Sequence, residues 1–164
     1  MKITTMRIDD RLIHGQIVTT WITYANAKQI MVVDDKAAGD KMQQMLLKFA
    51  VPNGINLLIL TKEDAIKTLQ EDQSDTPTLL MIRNPHEANA FIEMGFEIPV
   101  INVGNISNSK SVTGRRKMMD YIYFEEADVK ALQSLNDKGI KLEVRAIPTE
   151  KPVDAMTLVN KYIN

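Results

Sequence analysis

Cysteine is absent from the 164 residues of this chain. The absence excludes disulfide bonds, thiolate metal sites and cysteine nucleophiles, and it is consistent with a reducing compartment. No apolar run approaches the roughly 20 residues that a membrane helix needs, and the first residues show no signal-peptide pattern. We therefore expect a cytoplasmic protein with no direct membrane insertion; if it works at a membrane, it must do so through a partner.

An excess of charge of one sign is also lacking, since 20 Lys and Arg residues stand against 21 Asp and Glu residues. A chain with a net charge of -1 has no overall field that would attract nucleic acid or an anionic membrane. Any affinity for phosphate must therefore come from a local site. Histidine is scarce as well, because only His14 and His86 occur. Their spacing gives no argument for a shared metal ion, and we predict neither a metal nor a cofactor.

The hydrophobic content of 45% is ordinary for a globular protein, and the length suits one domain over residues 1–164. Strand-like and helix-like segments alternate along it. The predicted strands are 2–9, 29–35, 55–60, 78–83, 98–104, 121–124 and 141–148. The predicted helices are 15–26, 40–51, 61–70, 84–95, 125–139 and 152–163. This alternation predicts an α/β fold, a doubly wound and mostly parallel open sheet with helices on both faces.

Two of the predicted helices, 15–26 and 40–51, carry apolar stripes at helical spacing. The stripes consist of Ile17, Trp21 and Tyr24 in the first helix and of Met42, Met45, Leu46 and Phe49 in the second. Because such stripes normally face the core, we predict that both are buried. Most of the ten methionines lie in apolar runs or on stripes, so we interpret them as core-filling residues.

The most chemically crowded segment lies between the first predicted strand and the first predicted helix. Ligands of open α/β sheets bind beyond the carboxyl ends of strands, which is where His14 falls. A helix that begins at Gly15 offers free N–H groups and its positive dipole end to an anion, and glycine permits close approach of the backbone. Arg7 and Arg11 add forked cationic donors that suit phosphate oxygens.

Asp9 or Asp10 can accept a proton from one imidazole nitrogen of His14. That contact fixes the tautomer and leaves the other nitrogen as a nucleophile. Together these groups predict a histidine that accepts a phosphoryl group and passes it on, with the arginines and helix amides supplying charge stabilisation. The alternative, from the residues alone, is a solvated loop histidine among surface ion pairs.

The segment "RIDDRLIHGQIVTTW", residues 7–21, resembles the signature of the enzyme IIB proteins of the bacterial phosphoenolpyruvate-dependent sugar phosphotransferase system, in its mannose/fructose/sorbose branch. The resemblance continues in "LLMIRNP", "GFEIPVINVGNIS" and "GIKLEVRAIP", and so spans nearly the whole chain. It implies a mostly parallel sheet with one antiparallel edge strand, and we assign residues 141–148 to that edge.

The resemblance also implies a defined function. Enzyme IIB takes a phosphoryl group from a phosphohistidine of enzyme IIA and delivers it to a sugar imported by the membrane subunits IIC and IID. By similarity, His14 is phosphorylated on Nδ1 and Arg11 contacts the phosphoryl group. Asp9 and Asp10 belong to the same loop, and we group Asp10 with the catalytic residues and Asp9 and Arg7 with the supporting ones. We expect the enzyme IIA donor to be a separate polypeptide.

Two further segments have functional interpretations. Asn105 and Ser107 follow a predicted strand, and we expect them to line the cleft of His14 and to offer hydrogen bonds to the phosphoryl group or sugar. The basic cluster 110–117 is interpreted either as a solvated loop or as a docking surface for an acidic patch on enzyme IIA or on the membrane subunits.

Two other classes of protein remain as alternatives. Asp34 and Asp35 end a predicted strand, and paired acids there can hold Mg²⁺ as in a receiver domain that is phosphorylated on aspartate. A receiver should show a further acid at the end of a later strand, but the next two strands end in Thr61 and Arg83. The second alternative is a small-ligand-binding α/β domain, which needs a deep apolar pocket.

Overall fold

The computed structural model describes residues 1–111 and 114–164, without the side chains of Gln16, Ile17 and Lys110. The predictions for the last two side chains therefore lie outside the described residues. The strands are β1 Lys2–Asp9, β2 Gln29–Val33, β3 Asn56–Leu60, β4 Pro77–Ile82, β5 Val100–Asn105, β6 Arg116–Met119, β7 Ile122–Phe124, β8 Lys141–Val144 and β9 Val153–Asp154. The helices are α1 Gly15–Tyr24, α2 Asp35–Ala38, α3 Lys41–Ala50, α4 Lys62–Glu71, α5 Pro85–Glu93, α6 Glu126–Asp137 and α7 Ala155–Ile163.

Seven strands form the main sheet in the order β3-β2-β4-β1-β5-β8-β9. Neighbouring strands in it are parallel except for β8 and β9. The predicted mostly parallel α/β sheet is therefore confirmed. Strand β1 lies at the centre, between β4 and β5, and Arg7 is in register with Asn102 of β5. The loop that leaves β1 consequently begins in the middle of the carboxyl edge of the sheet.

The predicted antiparallel edge was assigned to the wrong strand. Strand β8 is parallel to β5, with Val100 in register with Lys141, and it ends at Val144. The antiparallel edge is the two-residue strand β9, whose Val153 pairs with Val144. These edge residues fall inside a segment predicted to be helical. Helix α7 begins later because the carboxylate of Asp154 accepts a hydrogen bond from the amide of Met156 and caps it.

A small second sheet lies apart from the main one. Strands β6 and β7 pair antiparallel around a turn in which Tyr121 has a positive φ of 68°. The predicted strand 121–124 is thus found as Ile122–Phe124. In the described parts of the chain, an isolated bridge between Ile122 and Ile106, the residue after β5, links it toward the main sheet. Strand β6 was not predicted, because its "RKMM" lies within a run of basic residues.

Helices cover both faces of the main sheet, as predicted. On one face, buried residues of α4 to α7 such as Phe91 and Leu132 pack on the strands. On the other face, Trp21 of α1, Ala37 of α2 and Leu47 of α3 form the second core cluster. None of the helices in the described parts of the chain has the length and apolarity needed to cross a bilayer.

The helix starts follow the capping signals in the sequence. The hydroxyl of Thr61 accepts from the amide of Asp64 at the start of α4. The side chain of Asn84 accepts from the amide of Glu87, with Pro85 at the first position of α5. Both caps were predicted, and their residue types satisfy amides that would otherwise lack partners.

The burial predicted for the two stripes is only partly confirmed. Trp21 is 1% exposed and buried, whereas Tyr24 is 52% exposed. The prediction for the second stripe is wrong, because all four of its members face solvent: Met42, Met45, Leu46 and Phe49. Helix α3 contacts the core through Leu47 instead. The methionines are likewise divided between core and surface: Met6, Met31, Met81 and Met118 are buried, whereas Met42 and Met45 are exposed.

Candidate active site

The loop between β1 and α1 turns tightly at its start. The amide of Leu12 donates to the carbonyl oxygen of Asp9 at 3.0 Å. Leu12 has a φ of 60°, which is uncommon for a residue with a side chain, and burial of that side chain holds it there. Gly15 has a φ of 48°, which glycine adopts without strain. The loop thereby places His14 as the N-cap residue of α1.

The imidazole of His14 is paired with Asp9 rather than with Asp10. Its Nε2 lies 3.0 Å from Oδ2 of Asp9, in a place where His14 is 8% exposed and Asp9 is fully buried. A neutral imidazole has one N–H and one lone pair, so an Nε2–H that donates to Asp9 leaves the lone pair on Nδ1. Of the two acids that the sequence left open, Asp9 is the one that contacts the imidazole.

Arg7 contacts Asp9 from the protein interior and is not exposed to a phosphoryl group in solvent. Its Nη2 donates to Oδ2 of Asp9 at 3.1 Å, and its Nη1 donates to Oδ1 of Asn102 at 2.6 Å and to the carbonyl of Arg145 at 3.0 Å. Arg7 is 1% exposed, and this burial lowers its pKa while the charge of Asp9 opposes the change. Its position places a buried cation directly beside the buried carboxylate of Asp9.

Packing also restricts the position of the Arg7 guanidinium. Its Cζ lies 4.8 Å from the centre of the Trp21 ring. On Gly104, a Cβ atom would lie 2.1 Å from the same Cζ, so only glycine fits there. Trp21 is itself anchored, since its Nε1 donates to the carbonyl of Ala146 at 2.9 Å. Neither Gly104 nor Asn102 was predicted as a site residue, because their contact with Arg7 depends on strand order.

Arg11 differs from Arg7 because its side chain is exposed. Its amide donates to Oδ1 of Asp9 at 2.9 Å, and Nδ2 of Asn105 lies 3.5 Å from the same oxygen. Among the described side chains, none makes an ion pair with the guanidinium of Arg11. It lines a cavity of about 190 Å³ together with Arg83. Its donors are therefore available to an anion beside the loop.

Asp10 and Ser107 contact each other. The carboxylate of Asp10 accepts from the amide of Ser107 at 2.5 Å and from its hydroxyl at 2.8 Å, and Nη1 of Arg115 lies 3.5 Å away. Burial raises the pKa of Asp10, while the hydrogen bonds from Ser107 lower it. The structure thus places Asp10 where it ties the loop to the segment after β5, and not on the imidazole.

Arg83 is a site residue that sequence reasoning did not assign. Its Nε and Nη2 donate to Asp34, its Nη1 donates to the carbonyl of Asp10 at 3.2 Å, and its Nη2 also reaches Oε1 of Gln43. It lines a second cavity of about 380 Å³ with Lys36. An arginine at the carboxyl end of a strand was the available signal, but only the order β4-β1 brings it to this loop.

The acids proposed for a receiver site have separate partners. Asp34 caps α2 by accepting from the amide of Ala37 and pairs with Arg83 at 3.0 Å. Asp35 pairs with Lys62 at 2.9 Å. Within the described residues, no group of His, Cys, Asp and Glu side chains is arranged to hold a metal ion. The carboxylates of this strand end thus serve ion pairs and a helix cap.

The basic cluster 110–117 is not a uniform cationic surface. Arg115 is buried and pairs with Asp128 at 2.9 Å. The guanidinium of Arg116 lies 4.5 Å from the ring centre of Tyr162. Arg115 therefore joins the residue before β6 to α6, and its charge is already paired within this chain.

Comparison with known proteins places this chain in a family. The family described as "PTS system sorbose subfamily IIB component" matches residues 3–163. The sorbose-specific EIIB component of Klebsiella pneumoniae is 29% identical, over 98% of this chain and 97% of that protein. The fructose-specific EIIB component of Bacillus subtilis is 33% identical, over 97% of this chain and 96% of that protein. The mannose-specific EIIAB component of Escherichia coli K12 is 32% identical over 98% of this chain, which spans 49% of that longer protein.

Solved structures agree with the sequence relatives. The IIBSor domain of the sorbose permease from Klebsiella pneumoniae superimposes with a TM-score of 0.90, at 29% identity, over 98% of both chains. The N-acetylgalactosamine-specific IIB component 1 from Escherichia coli gives a TM-score of 0.85 at 27% identity, over 92% of this chain and 97% of that one. The family match over residues 3–163 includes the β1–α1 loop with His14, and the chain belongs to the sorbose subfamily of phosphotransferase-system IIB components.

Proposed function

We propose that this chain carries a phosphoryl group on His14 during sugar import. It accepts the group from a phosphohistidine of enzyme IIA and passes it to a sugar that the membrane subunits IIC and IID translocate. The observation that carries the proposal is the contact of His14 Nε2 with Asp9, because it leaves Nδ1 as the nucleophile. We also propose that residues 1–164 act as one domain, in the cytoplasm, that meets the membrane through these subunits.

The reaction consists of two successive transfers of the phosphoryl group. In the first, the lone pair of Nδ1 attacks the phosphorus of the donor, the donor P–N bond breaks, and the donor imidazole leaves with the electron pair of that bond. His14 keeps its Nε2–H and becomes a phosphorylated imidazolium, whose positive charge the Asp9 carboxylate stabilises at 3.0 Å. In the second, the oxygen of a sugar hydroxyl attacks the phosphorus, the Nδ1–P bond breaks with its electron pair returning to Nδ1, and the hydroxyl proton passes to solvent; His14 is then again a neutral imidazole with Nε2–H.

Charge around Nδ1 supports the transfer of an anionic group. His14 is the N-cap residue of α1, and the ten residues of this helix direct the positive end of the helix dipole toward it. Arg11, a residue of the same loop, is exposed and presents forked donors for phosphoryl oxygens. The buried Arg7 does not face Nδ1 itself, because it pairs with Asp9 and holds that carboxylate in place.

The remaining residues of the predicted site position the loop. Asp10 and Ser107 join it to the end of β5, and Asn105 adds a contact to Asp9 and accepts from the amide of Asp10 through its carbonyl. The Escherichia coli relative that is named as an EIIAB component contains an enzyme IIA part and an enzyme IIB part in one chain. This pairing supports enzyme IIA as the phosphoryl donor.

Transfer of labelled phosphate tests the proposal directly. Purified enzyme IIA carrying radiolabelled phosphate is mixed with this chain, and the label on the chain is measured. We expect label that is labile to acid and stable to base, that is lost in His14→Ala and that is retained in His86→Ala, which removes the other histidine. Label that persists in His14→Ala, or that is labile to base as an acyl phosphate is, would contradict the proposal.

A further inference from the structure

The solvent side of α3 carries an unpartnered apolar surface. Its four side chains are Met42 at 67%, Met45 at 55%, Leu46 at 62% and Phe49 at 81% exposure. Their spacing of three and four residues places them side by side on one face of the helix. We call this set the α3 face. Monomeric proteins rarely expose several large apolar side chains together unless the patch binds something.

The α3 face is continuous with the rim of the phosphoryl site. Leu46 lines the same 190 Å³ cavity as Arg11 and the loop residues Leu12 and Ile13. From the adjacent side of the helix, Gln43 accepts a hydrogen bond from Arg83. A protein that covers the α3 face therefore lies directly beside the loop that holds His14.

Exposed cations flank the two long sides of the α3 face, and the carboxylate of Asp40 caps the helix at its start. Lys41 and Lys48 are exposed on one side of the helix, and Arg11 is exposed across the cavity on the other side. Protein interfaces commonly have an apolar centre and a polar rim of complementary charge. The partner that fits this surface has an apolar patch bordered by acidic side chains.

We infer that the α3 face is the docking surface for the enzyme IIA donor. This inference rests on the function proposed above, since a protein donor must bring its phosphohistidine to Nδ1 of His14 and must cover the neighbouring rim to do so. The relative that joins an EIIA part to an EIIB part supports this partner over a second copy of the chain. The cluster 110–117, considered for this role from sequence, has its Arg115 buried in ion pairs instead.

Kinetics with two kinds of donor separate docking from chemistry. The variants are Phe49→Ser and Leu46→Ser, and the control is Ile163→Ser, which removes an apolar side chain that is 57% exposed on α7. With phospho-enzyme IIA, we expect the KM for the donor to rise about tenfold or more in the α3-face variants, the effect of truncating a central interface residue. We expect kcat to change little, and Ile163→Ser to match the wild type. With phosphoramidate, a small donor that needs no docking, all variants should be labelled at the wild-type rate.

Each other outcome has a distinct meaning. If the wild type takes no label on His14 from either donor, the proposed function fails and the docking inference fails with it. If the wild type is labelled but Phe49→Ser keeps the wild-type KM, only the docking inference is overturned. In that case, wild-type dimers that Phe49→Ser dissociates in sedimentation would identify a second copy as the occupant. A loss of transfer to sugar in vesicles that contain IIC and IID would identify the membrane subunits.

Discussion

Replacing Gly104 by alanine tests whether the buried Arg7 supports the Asp9–His14 pair. The added methyl group would lie 2.1 Å from Cζ of Arg7, so the guanidinium must move. The side chain is flexible in principle, but here it is 1% exposed, contacts the Trp21 ring and donates three hydrogen bonds. Any displacement large enough to admit the methyl group takes Nη2 away from Asp9.

The magnitude follows from what the displacement leaves behind. Breaking one side of a buried ion pair costs about 3–5 kcal/mol, because the remaining charge stays buried without its partner. Crowding an extra carbon into a packed region costs about 1–3 kcal/mol, part of which relaxation recovers. We therefore expect Gly104→Ala to lower the free energy of unfolding by about 3 kcal/mol or more. Phosphorylation of the folded fraction should also slow, because Asp9 loses the charge that holds it in place.

Urea unfolding measures this change, and Gly39→Ala is its matched control. A Cβ on Gly39 would meet its nearest heavy atoms at 3.9 Å, and the backbone there has an ordinary φ of -103°. Alanine at that position should be neutral or stabilising by up to about 1 kcal/mol. If Gly104→Ala and Gly39→Ala have the same unfolding midpoint, Arg7 is not held as the structure shows and the reasoning is refuted.

Three further predictions concern single carboxylates and Arg11. Asp9→Asn should slow phosphorylation of His14 about 10²-fold, because an amide neither fixes the tautomer nor stabilises the imidazolium. Asp10→Asn should slow it less than tenfold, and equal effects of the two variants in the labelling assay would contradict the separate roles of Asp9 and Asp10. Arg11→Ala should slow transfer about tenfold or more with an unchanged urea midpoint, since its side chain is exposed; a wild-type rate would exclude a phosphoryl contact. Hydrogen bonds from Ser74 and the N-terminal ammonium lower the pKa of Asp72 to about 2. The stability that Asp72 contributes is present above pH 3.8 and is lost as the pH falls toward 2. The free energy of unfolding should therefore fall less steeply with decreasing pH in Asp72→Asn than in the wild type, and equal slopes would contradict the assignment.

Local signals in the sequence predicted most of the architecture. Caps such as Thr61 and Asn84 satisfy amides within a few residues, so their effect is readable from spacing alone. The His14 loop was predicted for a similar reason, because a strand, a charged turn and a glycine-started helix follow one another directly. The resemblance of residues 7–21 to the IIB signature added the function, which the comparison with known proteins supports.

What the sequence did not predict depends on contacts between distant segments. Arg83 reaches the loop because β4 lies beside β1, and Gly104 meets Arg7 because β5 lies on the other side. The edge strand was misassigned because Val153–Asp154 is too short to show alternation and runs into a helix. The stripe of α3 was predicted to be buried because spacing identifies an apolar face but not what that face contacts.

The position of the phosphoryl group on the imidazole tests the central claim most directly. Phosphorus and nitrogen NMR of the chain after transfer from phospho-enzyme IIA distinguishes the two ring nitrogens of His14. The contact of Nε2 with Asp9 predicts that the phosphoryl group is on Nδ1 and that Nε2 keeps its proton. A phosphoryl group on Nε2, or on a residue other than His14, would contradict the account.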